Sequence, residues 1–126
     1  MAGTIVETDS NTRVIRKYVI AWTCTAGGVV SEATNVILSG VIERVNFVPD
    51  AIDVPTDQYT LTLADADGID VLIGVGAQGL SSTTASTTIP LIAGNKIAID
   101  DVLTLAVAGA GNAKKGTVSI YLSRKV

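Results

Sequence analysis

Tyr59-Thr60-Leu61-Thr62-Leu63 alternates large apolar side chains with threonines. Only an extended backbone, whose successive side chains point to opposite faces, gathers Tyr59, Leu61 and Leu63 on one side. The same period of two puts Tyr18, Ile20 and Trp22 together in a segment predicted from Arg13 to Cys24, and Val118, Ile120 and Leu122 together in "GTVSIYL". In "VILSGVIERVNFVP" it assigns Val41, Val45 and Phe47 to one face and Arg44 and Asn46 to the other, with Pro49 ending the strand. Composition agrees, since 44 of the 126 residues are Val, Ile or Thr, the side chains that fit a pleated surface.

The chain therefore reads as all-β: one β-sandwich or barrel of about eight short, mostly antiparallel strands. "ETDSN" is predicted to break a weak first strand over Gly3 to Thr8. "TAGGVVSEATN" and "DAIDVPTD" read as loops, and strand character is predicted to resume after Gly68 in "IDVLIGVG". "NKIAI", "DVLTLAVA" and "GTVSIYL" are the last three strands, the final two joined by "GAGNAKKG" as a hairpin loop. Pro90 marks the segment around it as an edge.

Chemistry is limited by what side chains are present. There is no histidine, which removes the commonest general base and most zinc sites, and a single cysteine, which removes thiolate clusters and internal disulfides. Cys24 reads as a buried, inert thiol. Gly74, Gly76 and Gly79 have the G-x-G-x-x-G spacing, but no helical pattern follows to hold a phosphate. "DADGID" begins like a calcium loop, yet lacks the later ligands and the closing glutamate, so Asp65, Asp67 and Asp70 read as a turn built on Asp-Gly. A glycoside-hydrolysing carboxylate pair would need sugar-stacking aromatics, and aromatic residues are 4% of the chain. No catalytic, cofactor-binding or metal-binding residue is assigned.

The net charge of −3 is well mixed, with no basic stripe for nucleic acid. No apolar run approaches the roughly 20 residues of a membrane span, and "MAGTIVETDSNTRVIRK" lacks the pattern of a secretory signal, so a soluble chain made in the cytoplasm is expected. Two features stay open between a bland and a functional reading. "SSTTASTT" is either a solvated loop or a polar surface that orders against a neighbouring subunit, and Arg13, Arg16 and Lys17 form either a solvated strand face or a seat for an acidic partner.

The order of three segments, "SGVIERVNFVPD", "PTDQYTLTLADADGIDVLIGVGAQGLSS" and "DVLTLAVAGAGNAKKGTVSIYL", resembles small structural proteins of tailed bacteriophages and prophages, over residues 36 to 122. Ala64 stands where that group usually has an acidic residue, and the loop around Gly79 lacks its basic one. The resemblance implies a non-enzymatic, head-associated protein of the virion: a capsid decoration, or cement, protein made in the host cytoplasm. Its implied partners are the major capsid protein and further copies of itself, as a homotrimer, without nucleic acid or membrane. Alternatives are a head-completion or tail component and a carbohydrate-binding adhesion module.

Residues 1–12 are a possible N-terminal arm, with 13–126 as the domain. The arm either adds a strand to a neighbour or forms an ordinary edge strand of its own sandwich. Ile5 and Val6 on this arm, with Gly79, Leu80 and Ser81 at the start of the hydroxyl-rich loop, are the candidate partner contacts.

Overall fold

A computed structural model describes residues 3–11, 15–77, 79–92 and 94–123. Eleven strands form, in chain order β1 (Thr4–Asn11), β2 (Ile15–Thr23), β3 (Val30–Ala33), β4 (Leu38–Pro49), β5 (Thr60–Ala64), β6 (Ser86–Thr88), β7 (Leu91–Ile92), β8 (Asn95–Lys96), β9 (Ala98–Asp101), β10 (Thr104–Ala108) and β11 (Lys115–Ser123). A 3-10 turn at Val75–Ala77 is the one helical element among the described residues. The all-β reading holds. The count exceeds eight because short pairs such as β7–β8 have little sequence signal of their own.

Six strands make the larger sheet, in the order β1-β2-β11-β4-β6, with β9 also paired to the first half of β4. Three make the smaller sheet, β3-β10-β5, and β7 with β8 is a separate hairpin. Every pairing is antiparallel. The inner faces share one core. Ile20, Trp22, Val118 and Ile120 from the larger sheet belong to the same buried cluster as Leu61, Leu63, Leu105 and Val107 from the smaller. Trp22 meets Tyr59 across it, with ring centroids 5.5 Å apart. All three alternating triads read from the sequence are buried.

Four expectations are corrected. First, β1 continues through "ETDSN", because Glu7 and Asp9 find partners inside the fold, as described below. Second, Val41 does not share a face with Val45 and Phe47. The β4–β11 register slips so that Tyr121 opposes Arg44 but Leu122 opposes Ile42. Glu43 is the extra residue of this bulge, which turns Ile42 inward and leaves Val41 half-buried beside Ser123.

Third, "IDVLIGVG" forms no strand. Asp70 makes a single bridge to Ala64, and the chain then turns through Ile73 and Gly74, both at positive φ (53° and 77°). Fourth, "GAGNAKKG" is not a hairpin loop. It carries the chain from the smaller sheet to the larger, because β10 pairs with β3 and β5 while β11 pairs with β2 and β4. This corner is pinned by Thr56 N–H donating to Ala110 O (2.8 Å) and Cys24 N–H donating to Lys114 O (2.8 Å). The predicted start of β2 at Arg13, and Met1, Ala2 and Thr12 of the arm, lie outside the described residues.

Candidate interaction surface

The carboxylates that attract notice in the sequence are engaged by the fold. Asp65 Oδ1 accepts from the backbone N–H of Asp67 (2.9 Å) and Ile69 (3.0 Å), closing the turn in which Gly68 takes φ +81°. Asp70 reaches further. Its Oδ1 accepts from Leu63 N–H and Leu72 N–H (both 3.1 Å), and its Oδ2 from Gly74 N–H (2.9 Å). That side chain ends the hairpin by offering the backbone a different set of acceptors. No group of three or more His, Cys, Asp or Glu side chains among the described residues is arranged to hold a metal ion.

A second polar group closes one edge of the sandwich. Glu7 on β1 accepts from the Tyr18 hydroxyl (2.6 Å) and from the backbone N–H (2.9 Å) and side-chain amide of Asn35, which follows β3. Asp9 receives two bonds from Arg16, at 2.9 and 2.7 Å, and Arg16 also reaches Ile37 O. Burial, reinforced by Glu7, holds the Tyr18 hydroxyl far above the ordinary tyrosine range. Glu7 and Asp9 stand opposite Ile20 and Tyr18, on the core side of β1. Inward charges on an edge strand discourage another strand from joining it.

The predicted contacts are not brought together. Ile5 packs half-buried against the core, whereas Val6 is 67% exposed on the opposite side of β1. Gly79, Leu80 and Ser81 lie on the loop that leads to β6, while β1 and β6 are the two opposite edges of the larger sheet. Leu80 is a core residue. It is 6% exposed and exchanges backbone bonds with Tyr59 and Gln58. Ser81 Oγ accepts from Thr83 and Thr84 N–H, so the start of the hydroxyl-rich loop orders itself, and Ser86–Thr88 becomes β6 against Val45–Phe47. Of the basic cluster, Arg13 lies outside the described residues, Arg16 faces Asp9, and Lys17 points to the opposite face of β2.

That opposite face is the surface sequence reasoning missed. The outer side of the larger sheet is built in cross-strand rows: Val6, Ala21, Thr117 and Val48; then Thr8, Val19, Ser119, Asn46 and Thr87; then Lys17, Tyr121 and Arg44. Small, hydroxyl and β-branched side chains fill the first two rows, and the third is cationic around one aromatic ring. Arg44 Cζ lies 4.3 Å and Lys17 Nζ 5.4 Å from the centre of the Tyr121 ring. Burial raises the Tyr121 hydroxyl, but the two neighbouring cations outweigh it and bring the group below its usual value. Arg44, Asn46, Val48 and Ala85–Thr87 border a shallow groove of about 270 Å³. Asn46 Oδ1 is buried there without a hydrogen-bond partner.

A larger groove of about 560 Å³ runs beside Gly3, Thr4 and Thr23–Gly27. Its lining has no charged side chain, and burial pushes its one thiol, Cys24, above the ordinary value, away from the reactive thiolate. Neither the core aromatics nor this groove offers a platform for sugars. Tyr18, Trp22, Phe47 and Tyr59 are each 2% exposed or less, which leaves Tyr121 of the five aromatics, already flanked by cations.

No protein-family model matches the chain, and no curated protein sequence matches it. Among solved structures, a cupin domain from Bordetella pertussis Tohama I aligns over 99% of this chain and 98% of its own length, at 12% sequence identity and a TM-score of 0.41. A likeness at that level identifies neither a family nor a chemistry.

Proposed function

We propose that this chain is a non-enzymatic structural protein of a tailed-phage virion, a capsid decoration protein that binds the major capsid protein of the assembled head as a homo-oligomer and reinforces it. The observation that carries the reading is the outer face of the larger sheet, a broad surface of short side chains suited to lying against another protein. Five strands about 4.8 Å apart and six residues of about 3.3 Å rise give it roughly 400 Å² of projected area. A stable interface takes about 800 Å² from each partner. One such face is a modest contact. Many copies, or a trimer using three faces at once, turn modest contacts into firm attachment. The order of the sequence segments supports the same reading, and the engagement of Asp65, Asp70, Glu7 and Asp9 in internal hydrogen bonds fits a scaffold better than a hydrolase.

The test is co-sedimentation of the purified protein with heads from a phage strain deleted for its gene. The reading expects the protein to pellet with the heads, to saturate, and to raise the temperature at which they release DNA. Protein left in the supernatant at every concentration would refute it.

A further inference from the structure

Lys17 and Arg44 are two cations in one cross-strand row, on the strands either side of β11, each held by the same ring. Both lie within 6 Å of the Tyr121 centroid, so they are no more than about 10 Å apart, within about one Debye length at 0.1 M salt. The ion pairs of the described residues are Arg16 with Asp9, Lys96 with Glu43, and Lys115 with Asp53. Lys17 and Arg44 have no carboxylate partner among them. Glu43, next to Arg44 in sequence, gives one oxygen to Lys96 and the other to the Ser123 hydroxyl. Two like charges repel, and a chain of net charge −3 nonetheless holds them on either side of one ring. Stacking on Tyr121 also removes much of the side-chain freedom that a long cation would lose on binding.

We infer that Lys17, Tyr121 and Arg44 form a preorganised seat for carboxylates of a partner protein, and that the uncharged rows of Val6, Thr8, Val19 and Ala21 carry the remainder of that contact. The spacing suits two acidic side chains on one strand or turn, one over each cation. A protein is favoured over nucleic acid because Lys115, further along β11 on the same face, is paired with Asp53 and Lys96 with Glu43, so a phosphate backbone would meet the excess acidic charge of the rest of the chain instead of a continuous basic track. Applied to the capsid, the inference rests on the function proposed above; the seat itself does not.

Two arms of one experiment keep those apart. In the first, a Glu-rich dodecapeptide and, separately, a DNA duplex are titrated into the full chain at low salt while backbone amide shifts are followed by NMR. The peptide is expected to move the amides of Lys17, Arg44 and Tyr121, with an affinity that falls steeply as salt is added. Arg44→Gln and Lys17→Gln are each expected to weaken it about tenfold, and Tyr121→Ala about threefold, at an unchanged melting temperature for the two charge variants. Absence of shifts at these residues, shifts centred elsewhere, or tighter binding of the duplex than of the peptide would overturn the inference, and the wild-type map alone decides these outcomes if a variant misfolds. In the second arm the same charge variants are sedimented with undecorated heads. Full binding by both would overturn the seat as a capsid contact. Failure of the wild type to bind heads would instead remove the proposed function and leave the peptide arm to decide the seat.

Discussion

Gly116→Ala tests the way the two central strands of the larger sheet meet. Gly116 on β11 stands opposite Trp22 on β2, and a methyl group added at Gly116 would fall 2.3 Å from indole Cζ2, 2.7 Å from Cε2 and 3.0 Å from Cη2. No rotation of the added methyl relieves this, and the indole is 1% exposed and backed by Tyr59, so either Trp22 leaves its position or β11 separates from β2. Overpacking of this kind costs about 1–3 kcal/mol, and the gain from replacing glycine within a strand returns only about 0.5–1. A 2.3 Å approach to a buried ring puts the cost at the upper end, about 3 kcal/mol, so a net loss of about 2 kcal/mol is expected. With an unfolding entropy of about 2.1 cal/mol/K for each residue, that lowers the melting temperature by about 8 °C. Because Trp22 is the single tryptophan of the chain, its fluorescence reports the displacement directly. Trp22→Phe, which shortens the ring system, should leave a smaller penalty for Gly116→Ala in the double variant than in the wild type. A variant that gains stability, with Trp22 emission unchanged, would show that indole and glycine do not face one another and would refute the β2–β11 register.

Further expectations follow from the same packing. Asp70→Ala strands three backbone N–H groups and should cost about 3 kcal/mol in chemical denaturation, whereas Asp67→Asn, on an exposed tip, should cost under about 0.5, and added calcium should leave the wild-type melting temperature unmoved; a calcium-dependent rise would overturn the turn assignment. Leu61→Ala and Val118→Ala should each lose about 2 to 4 kcal/mol through core cavities, and near-zero losses would reverse the assigned faces. In an ultraviolet titration Tyr121 should ionise first, while Tyr59, pushed up to about 12 by burial, and Tyr18, raised further, ionise late. Both raised groups are protonated in the folded chain at pH values where the unfolded chain has released its proton. Stability is therefore full below the unfolded value near 10 and should fall as pH rises from there towards the folded values, by about 1.4 kcal/mol per pH unit for each tyrosine. A melting temperature that stays flat over that range would contradict the burial of these hydroxyls.

Much of the fold was legible wherever a single strand reports its own environment. Tyr18, Ile20 and Trp22, or Leu61 and Leu63, alternate because one side of each strand meets the core and the other does not. What the sequence left hidden depends on pairing. Glu43 is an ordinary glutamate in an alternating stretch until β11 is laid beside it, and only then does the extra residue reverse Val41 and Ile42. "GAGNAKKG" has hairpin composition, but whether its two strands pair with each other or with other strands is settled by partners elsewhere in the chain. Leu80 follows glycine and precedes a hydroxyl run, so it reads as surface; its bridge to Tyr59 buries it. The candidate surface was hidden for the same reason. Lys17, Arg44 and Tyr121 come from three distant segments and become neighbours only through the β2–β11–β4 register. Lys17, flagged within a basic cluster, and Arg44, placed on the polar face of its strand, were the two available signals.

The central proposal, that a tailed phage encodes this chain and carries it on the head, is tested most directly by electron cryomicroscopy of that phage's virions. The account predicts repeated copies on the outside of the head, clustered as oligomers, with the outer face of β1, β2, β11 and β4 against the capsid and acidic side chains over Lys17 and Arg44. Virions that lack the protein, or that carry it with this face turned to solvent, would contradict it.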